Sequence, residues 1–290
     1  MGMPASVLGD RSPMEQATPV FFRYRLLTSW LRLTPDFLII GAQRCGTTSL
    51  YNYLTAHPRI APAITKEVHY FDLFFARGIA WYRAHFPSII SMHRGALTPR
   101  QGLITGEASP YYIFHPLVPE RVAGAIPRVK LLVLLRNPVD RAYSHYHHEV
   151  RMGVETLSFE DALRREAEEL NDETGRIDPS QGGYSFSHQH YSYLARGIYS
   201  DQLEAWTRHF PKEQLLTLGT EDFNNDPAAI LRRGLNFLEL PYSAPEKFEK
   251  YNFGDNPKMD PSTRKRLVAY FRPHNKRLQE LLGTKFGWDG

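Results

Sequence analysis

Short, largely apolar runs recur along the chain at Phe37–Ile40, Leu103–Glu107, Lys130–Leu135 and Leu215–Leu218. They are mostly continuous rather than alternating, which is the pattern of strands buried on both faces of a parallel sheet. Amphipathic stretches of helical period separate them. Helices are predicted from Thr47 through Leu54, over Pro116–Ala125, from about Pro138, and over Ser158–Leu170, His190–Phe210, Pro227–Leu240 and Ser262–Leu282. Pro138 is acceptable in a first turn, and Ser158 with Asp161 three residues on makes a capping box. Lys66–Asp72 reads as a short strand-like run, and Trp81 and Tyr82 fall in a helix after it. Alternating strands and helices predict an α/β fold with a central parallel sheet covered on both faces.

The ends and gaps of this pattern set the domain organisation. Residues 1–18 are rich in Pro, Ser and Gly and read as a loose tail; 1–34 are assigned as tail and capping segment, and 35–290 as a single domain. An amphipathic helix over Phe21–Leu33 is expected to cap the domain. Arg23, Arg25 and Arg32 interrupt its apolar residues, so the segment is neither a signal-peptide core nor a span of about 20 apolar residues. A cytoplasmic protein is expected, with room for peripheral membrane association. Gly175–Ser187 clusters Gly, Pro, Ser and Gln and reads as an exposed loop, a candidate lid.

Composition changes this picture little. A net charge of +4 suits an anionic ligand, but the basic residues are scattered rather than blocked, which argues against a nucleic-acid partner. With Cys45 as its one cysteine, the chain can form no internal disulfide and no Cys-based zinc site. His145, His147, His148, His188 and His190 raise the question of a metal. His147 and His148 are adjacent and cannot share one helical face, so none is expected.

The candidate chemistry begins where the first run ends. Gly41-Ala42-Gln43-Arg44-Cys45-Gly46 makes a tight loop between strand and helix, and Thr47, Thr48 and Ser49 open the helix. Backbone N–H groups at a helix N-terminus, aided by the helix dipole, form an anion cradle. The spacing nearly fits GxxxxGK[ST], but Thr47 stands where ATP and GTP hydrolysing enzymes carry lysine, and the cation has moved into the loop as Arg44. A second constellation follows Lys130–Leu135. Arg136 leaves the sheet at its carboxyl edge, where ligands of such folds sit, and Ser144 lies about two helical turns on, sharing a face with Arg141 and His148. A planar guanidinium beside a hydroxyl suits a second phosphate. Two phosphate sites at one sheet edge call for a nucleotide phosphorylated at both its 5′ and 3′ positions.

GAQRCGTTSL, KEVHYFD, GEASPYY and LLRNPVDRAYSHY, in that order, together with the C-terminal YFRPHNKRLQELLG, resemble the sulfotransferases that use 3′-phosphoadenosine 5′-phosphosulfate (PAPS). The branch is the carbohydrate one, which includes heparan sulfate N- and 3-O-sulfotransferases and bacterial relatives. The resemblance spans roughly residues 36–288. It implies the P-loop-like sulfotransferase fold, PAPS as donor with 3′,5′-adenosine bisphosphate as product, and no metal. Arg44, Cys45, Gly46, Thr47, Thr48 and Ser49 would hold the 5′-phosphosulfate, and Arg136 and Ser144 the 3′-phosphate, with Lys258 reaching it from the segment before the last helix. Glu67 would take the proton from an acceptor hydroxyl or amine, with Arg44 and His69 also at the reacting centre. Glu67, His69, Asp72 and Glu107 would form the acceptor site.

Some features depart from that branch. It carries lysine where this chain has Arg44, and the heparan enzymes carry lysine where this chain has Ala108. No counterpart of their disulfide-closed loop or membrane anchor is expected here. The acceptor is therefore expected to be another glycan, a glycolipid or a small hydroxyl compound. Two other classes stay open at this point: a P-loop NTPase or kinase, and a non-catalytic nucleotide-binding protein.

Overall fold

The structure, a computed structural model, describes residues 19–90, 103–173, 177, 183–249 and 256–288. Strands β1 (Phe37–Gly41), β2 (Ile60–Pro62), β3 (Ile104–Glu107), β4 (Lys130–Leu135) and β5 (Leu215–Gly219) form one parallel sheet in the order β2-β3-β1-β4-β5. Central β1 is buried throughout and β4 from Leu131 onward, as their unbroken apolar sequences require. The register of β1 on β4 shifts between Ile39 and Gly41, just where the chain turns into the cradle loop.

The helices in chain order are α1 (Pro19–Leu27), α2 (Thr47–Thr55), α3 (Gly78–Arg83), α4 (Val118–Ala125), α5 (Pro138–Arg151), α6 (Phe159–Glu173), α7 (Phe186–His190), α8 (Tyr199–Thr207), α9 (Thr220–Asn225), α10 (Pro227–Phe237) and α11 (Pro261–Leu282). Local chemistry sets several of their starts. Asn137 Oδ1 accepts from Val139 N at the head of α5, Asp226 caps α10, and Asp260 caps α11. Ahead of α6 half of the expected capping box forms: Ser158 Oγ accepts from Asp161 N at 3.2 Å, and the Asp161 carboxylate takes the Ser158 hydroxyl at 2.6 Å. The main core is the sheet and the helix faces against it. A satellite cluster of Val139, Ala142, Leu163, Tyr193, Leu267 and Phe271 fastens α5, α6 and α11 together.

Three sequence expectations change. Lys66–Asp72 is not a strand, because side chains occupy its backbone N–H groups. Val68 N donates to Glu107, His69 N to Ser109, and Tyr70 N and Phe71 N to the Tyr112 hydroxyl, leaving little for a ladder. His190–Phe210 is not one helix. The Glu166 carboxylate takes the N–H groups of Leu194 and Ala195, and Gly197 packs so closely on Phe271 that a Cβ there would lie 2.7 Å from the ring. The break gives α7, a 3₁₀ turn at Ala195–Gly197, and α8. The helix expected over Phe21–Leu33 is α1 followed by a 3₁₀ turn at Ser29–Leu31; Arg25 pins it, donating to the carbonyls of Ala84 and Phe86 at 2.6 Å. Edge strand β2 and the short α9 carry no clear apolar signal and emerge only in the fold. Most of the Gly175–Ser187 loop lies outside the described residues; its last part begins α7, capped by Ser185.

Candidate active site

The carboxyl ends of β1, β3 and β4 meet at one edge of the sheet, where the expected site residues lie on or beside them. From β1 the chain enters the cradle. Ala42 N reaches across to Leu134 O at 2.7 Å, Thr220 Oγ1 donates to the Cys45 carbonyl at 2.8 Å, and Gly46 sits at φ +93° before α2 begins. That backbone conformation admits glycine without strain and few other residues. No carboxylate stands in the first turn of α2, so the positive end of its dipole keeps its charge. Cys45 itself is turned away: its side chain is fully buried, with Sγ 3.9 Å from the Tyr199 hydroxyl. Burial raises its thiol above the ordinary range against the opposing charges of Arg141 and Arg136.

The second expected phosphate arm converges on the first. Arg44, at φ +68°, donates from Nε to Ser144 Oγ on α5 at 3.2 Å, and its own carbonyl accepts from Arg136 at 3.3 Å. Tyr199 donates to the Arg136 carbonyl at 3.0 Å, fixing the chain as it leaves β4. Burial, then the like charges of Arg151 and Arg136, lowers the Arg44 pKa. Guanidiniums held this close suit an anion between them. Lys258 is exposed; the neighbour that touches the rim is Asn256, which accepts from Arg151 at 3.0 Å.

The residues expected on the acceptor side gather around Glu67, whose side chain is 39% exposed. His69 Nε2 lies 3.2 Å from Glu67 Oε2, and His69 Nδ1 lies 2.8 Å from Asp72 Oδ2. Burial works against charge on His69, but Asp72 and Glu67 outweigh it and raise its pKa well above the usual value, so both ring nitrogens donate. Burial likewise opposes charge on Glu67, yet the hydrogen bond and charge of His69, with the charge of Lys66, hold the carboxyl at about 2. Burial, then the charge of Arg44, lowers the His148 pKa, while Glu67 opposes it, so this α5 side chain lies within reach of both charges.

Two expected acceptor residues lie beneath the surface. Asp72 is fully buried and meets the site through His69. Glu107, at the end of β3, is also fully buried, so it cannot line an acceptor cleft. Its Oε1 accepts from Tyr82 and Tyr112, both at 2.9 Å, and its Oε2 from Ser109 at 2.6 Å and Val68 N at 3.2 Å. Glu107 thus anchors the irregular segment that carries Glu67 and His69. In the sequence Lys66 reads only as a neighbour of Glu67. Its Nζ is 2.7 Å from Thr48 Oγ1 in the cradle and 2.6 Å from Glu67 Oε1, and it bridges the two halves of the site. A basic residue directly beside a candidate base was the signal available.

The family model of the sulfotransferase domain matches residues 34–267. The chain is 30% identical over 289 residues to the mouse heparan sulfate glucosamine 3-O-sulfotransferase 3A1, an alignment covering 91% of this chain and 67% of that protein. It is 29% identical over 319 residues to the membrane-associated sulfotransferase kil1 of Dictyostelium discoideum, covering 88% of this chain and 66% of that one. The chain therefore spans about two thirds of the length of these curated relatives. Among solved structures, a sulfotransferase from Alicyclobacillus acidocaldarius is 30% identical and superposes with a TM-score of 0.71, covering 89% of this chain and 100% of that one. The chain belongs to the sulfotransferase domain family, on its carbohydrate branch.

Proposed function

We propose that this chain transfers a sulfuryl group from PAPS to a hydroxyl group of a carbohydrate or glycolipid. The observation that carries the reading is the meeting of two cationic arms in one crevice, through Arg44 Nε on Ser144 and Arg136 on the Arg44 carbonyl. The cradle suits the 5′ end of the donor, held by the turn at Gly46, the hydroxyls of Thr47, Thr48 and Ser49, and Arg44. Arg136 and Ser144 suit its 3′-phosphate. The donor supplies the sulfuryl group and leaves as the 3′,5′-bisphosphate. Fixed N–H and guanidinium donors meet the charge that grows on the departing phosphate. Arginine does this electrostatically, since it does not readily surrender a proton.

Glu67 takes the acceptor proton in this reading. Its low pKa keeps it ionised at any working pH, and the doubly donating His69 fixes its position. Two relatives, human and mouse, are named as glucosamine 3-O-sulfotransferases, which favours a sugar hydroxyl over an amine as acceptor. Among the described residues no helix is long and apolar enough to cross a membrane. The outward-facing Val20, Tyr24, Leu27 and Trp30 around α1, and a relative named as membrane-associated, suit peripheral association.

Thermal unfolding with 3′,5′-adenosine bisphosphate, set against ATP with Mg²⁺, tests the donor assignment. A ligand at about 100 times its Kd stabilises the native state by about 2.7 kcal/mol, a clear shift in Tm. The bisphosphate is expected to give that shift and ATP–Mg²⁺ not. Arg136→Ala is expected to weaken the bisphosphate about tenfold to a hundredfold with little change in the unliganded Tm, as befits a lost charged hydrogen-bonding fork. Stabilisation by ATP–Mg²⁺ alone would point to phosphoryl transfer instead.

A further inference from the structure

The cradle lacks a P-loop lysine, yet an ammonium group reaches it from the opposite side. Lys66 Nζ sits 2.7 Å from Thr48 Oγ1 in the first turn of α2 and 2.6 Å from Glu67 Oε1. The loop's own cation, Arg44, is turned toward α5, where its Nε donates to Ser144. The two cations flank the cradle from different sides, Arg44 from the side of Ser144 and Lys66 from the side of Thr48 and Glu67. The Lys66 side chain is 22% exposed, enough to move without unpacking the core.

We infer that Lys66 grips the 5′-phosphate end of the donor and in doing so lets go of Glu67, so that donor binding releases the base. This rests on the donor reading above. An ammonium is a compact charge with three N–H groups on a flexible stem, so it can keep Thr48 while exchanging one anionic partner for another. A phosphate group offers more negative charge and more acceptor oxygens than the single carboxylate it displaces. The ion pair with Lys66 is one of the interactions that hold Glu67 at about 2. Losing it returns basicity to Glu67 only when the donor is in place. The acceptor is then deprotonated in the loaded site and not in the empty one.

Calorimetric titration of the full chain with adenosine 3′,5′-bisphosphate and with adenosine 3′-monophosphate tests this. Lys66→Met is expected to weaken the bisphosphate about tenfold or more and to leave the 3′-monophosphate unchanged, because only the former has the 5′ group. Lys66→Arg keeps the charge and is expected to retain most of the affinity. Glu67→Gln is expected to tighten the bisphosphate by freeing Lys66, and that gain is expected to vanish when Lys66→Met is also present. An unaltered bisphosphate affinity in Lys66→Met overturns the proposal. So does a Glu67→Gln gain that persists without Lys66, since that is simple relief of charge repulsion. Failure of the unsubstituted chain to bind either nucleotide overturns the donor reading itself, a result distinct from both. Circular dichroism of each variant checks that the fold is retained.

Discussion

Glu67→Gln is expected to lower sulfuryl transfer by about 10²- to 10⁴-fold, the usual span for a positioned general base. The substitution is nearly isosteric: an amide can still accept from His69 at the carboxylate's place, and the side chain is 39% exposed, so stability should hardly change. What it removes is the capacity to take a proton. Single-turnover transfer of labelled sulfate from PAPS to a panel of sugar acceptors measures the effect, and nucleotide affinity measured in parallel separates it from a binding defect. Transfer at the unsubstituted rate would remove Glu67 as the base. His69, a donor on both sides and flanked by two carboxylates, is poorly suited to take its place.

The largest effect on stability is expected from Glu107. Glu107→Ala strands two tyrosine hydroxyls, the Ser109 hydroxyl and the Val68 N–H without their acceptor in a fully buried place. Removing one partner of such a network costs about 3–5 kcal/mol, a large share of a typical domain's margin. Burial, set against the hydrogen bonds from Ser109, Tyr112, Val68 and Tyr82, raises the Glu107 pKa to about 7. Between its ordinary value and about 7, the native state keeps a proton that the unfolded state gives up. Stability from this group therefore falls as pH rises through that window, by about 3 kcal/mol in all. Glu107→Gln cannot ionise and should lack this slope. Urea unfolding of both proteins at pH 5 and pH 8 reads the difference directly. Parallel pH dependence would show that Glu107 is not protonated in the native protein.

The sheet was legible because β1 and β4 are buried on both faces and so carry unbroken apolar runs that nothing else in the chain imitates. The cradle was legible because Gly46 and its hydroxyl neighbours follow such a run directly. Lys66–Asp72 misled for a physical reason. Its apolar and aromatic residues suit a strand, but Glu107, Ser109 and Tyr112, some forty residues further on, claim its N–H groups, and no local pattern records that. The same holds for Glu166, whose hold on Leu194 and Ala195 breaks an otherwise helical stretch. Glu107 itself illustrates the limit: its place at a strand's carboxyl end could be read from sequence, whereas whether it faced the crevice or the core could not. Lys66 gained meaning only when the fold brought it against Thr48.

Cys45 is the chain's one cysteine, and it is sealed beneath the loop that joins β1 to α2. A thiol reagent in solution can reach it only when that loop lifts away from Tyr199 and Thr220. The native protein thus carries its own clock for local opening, since the labelling rate counts how often the cradle comes apart. No engineered probe is needed, and a molecule that fills the cradle has to slow the clock.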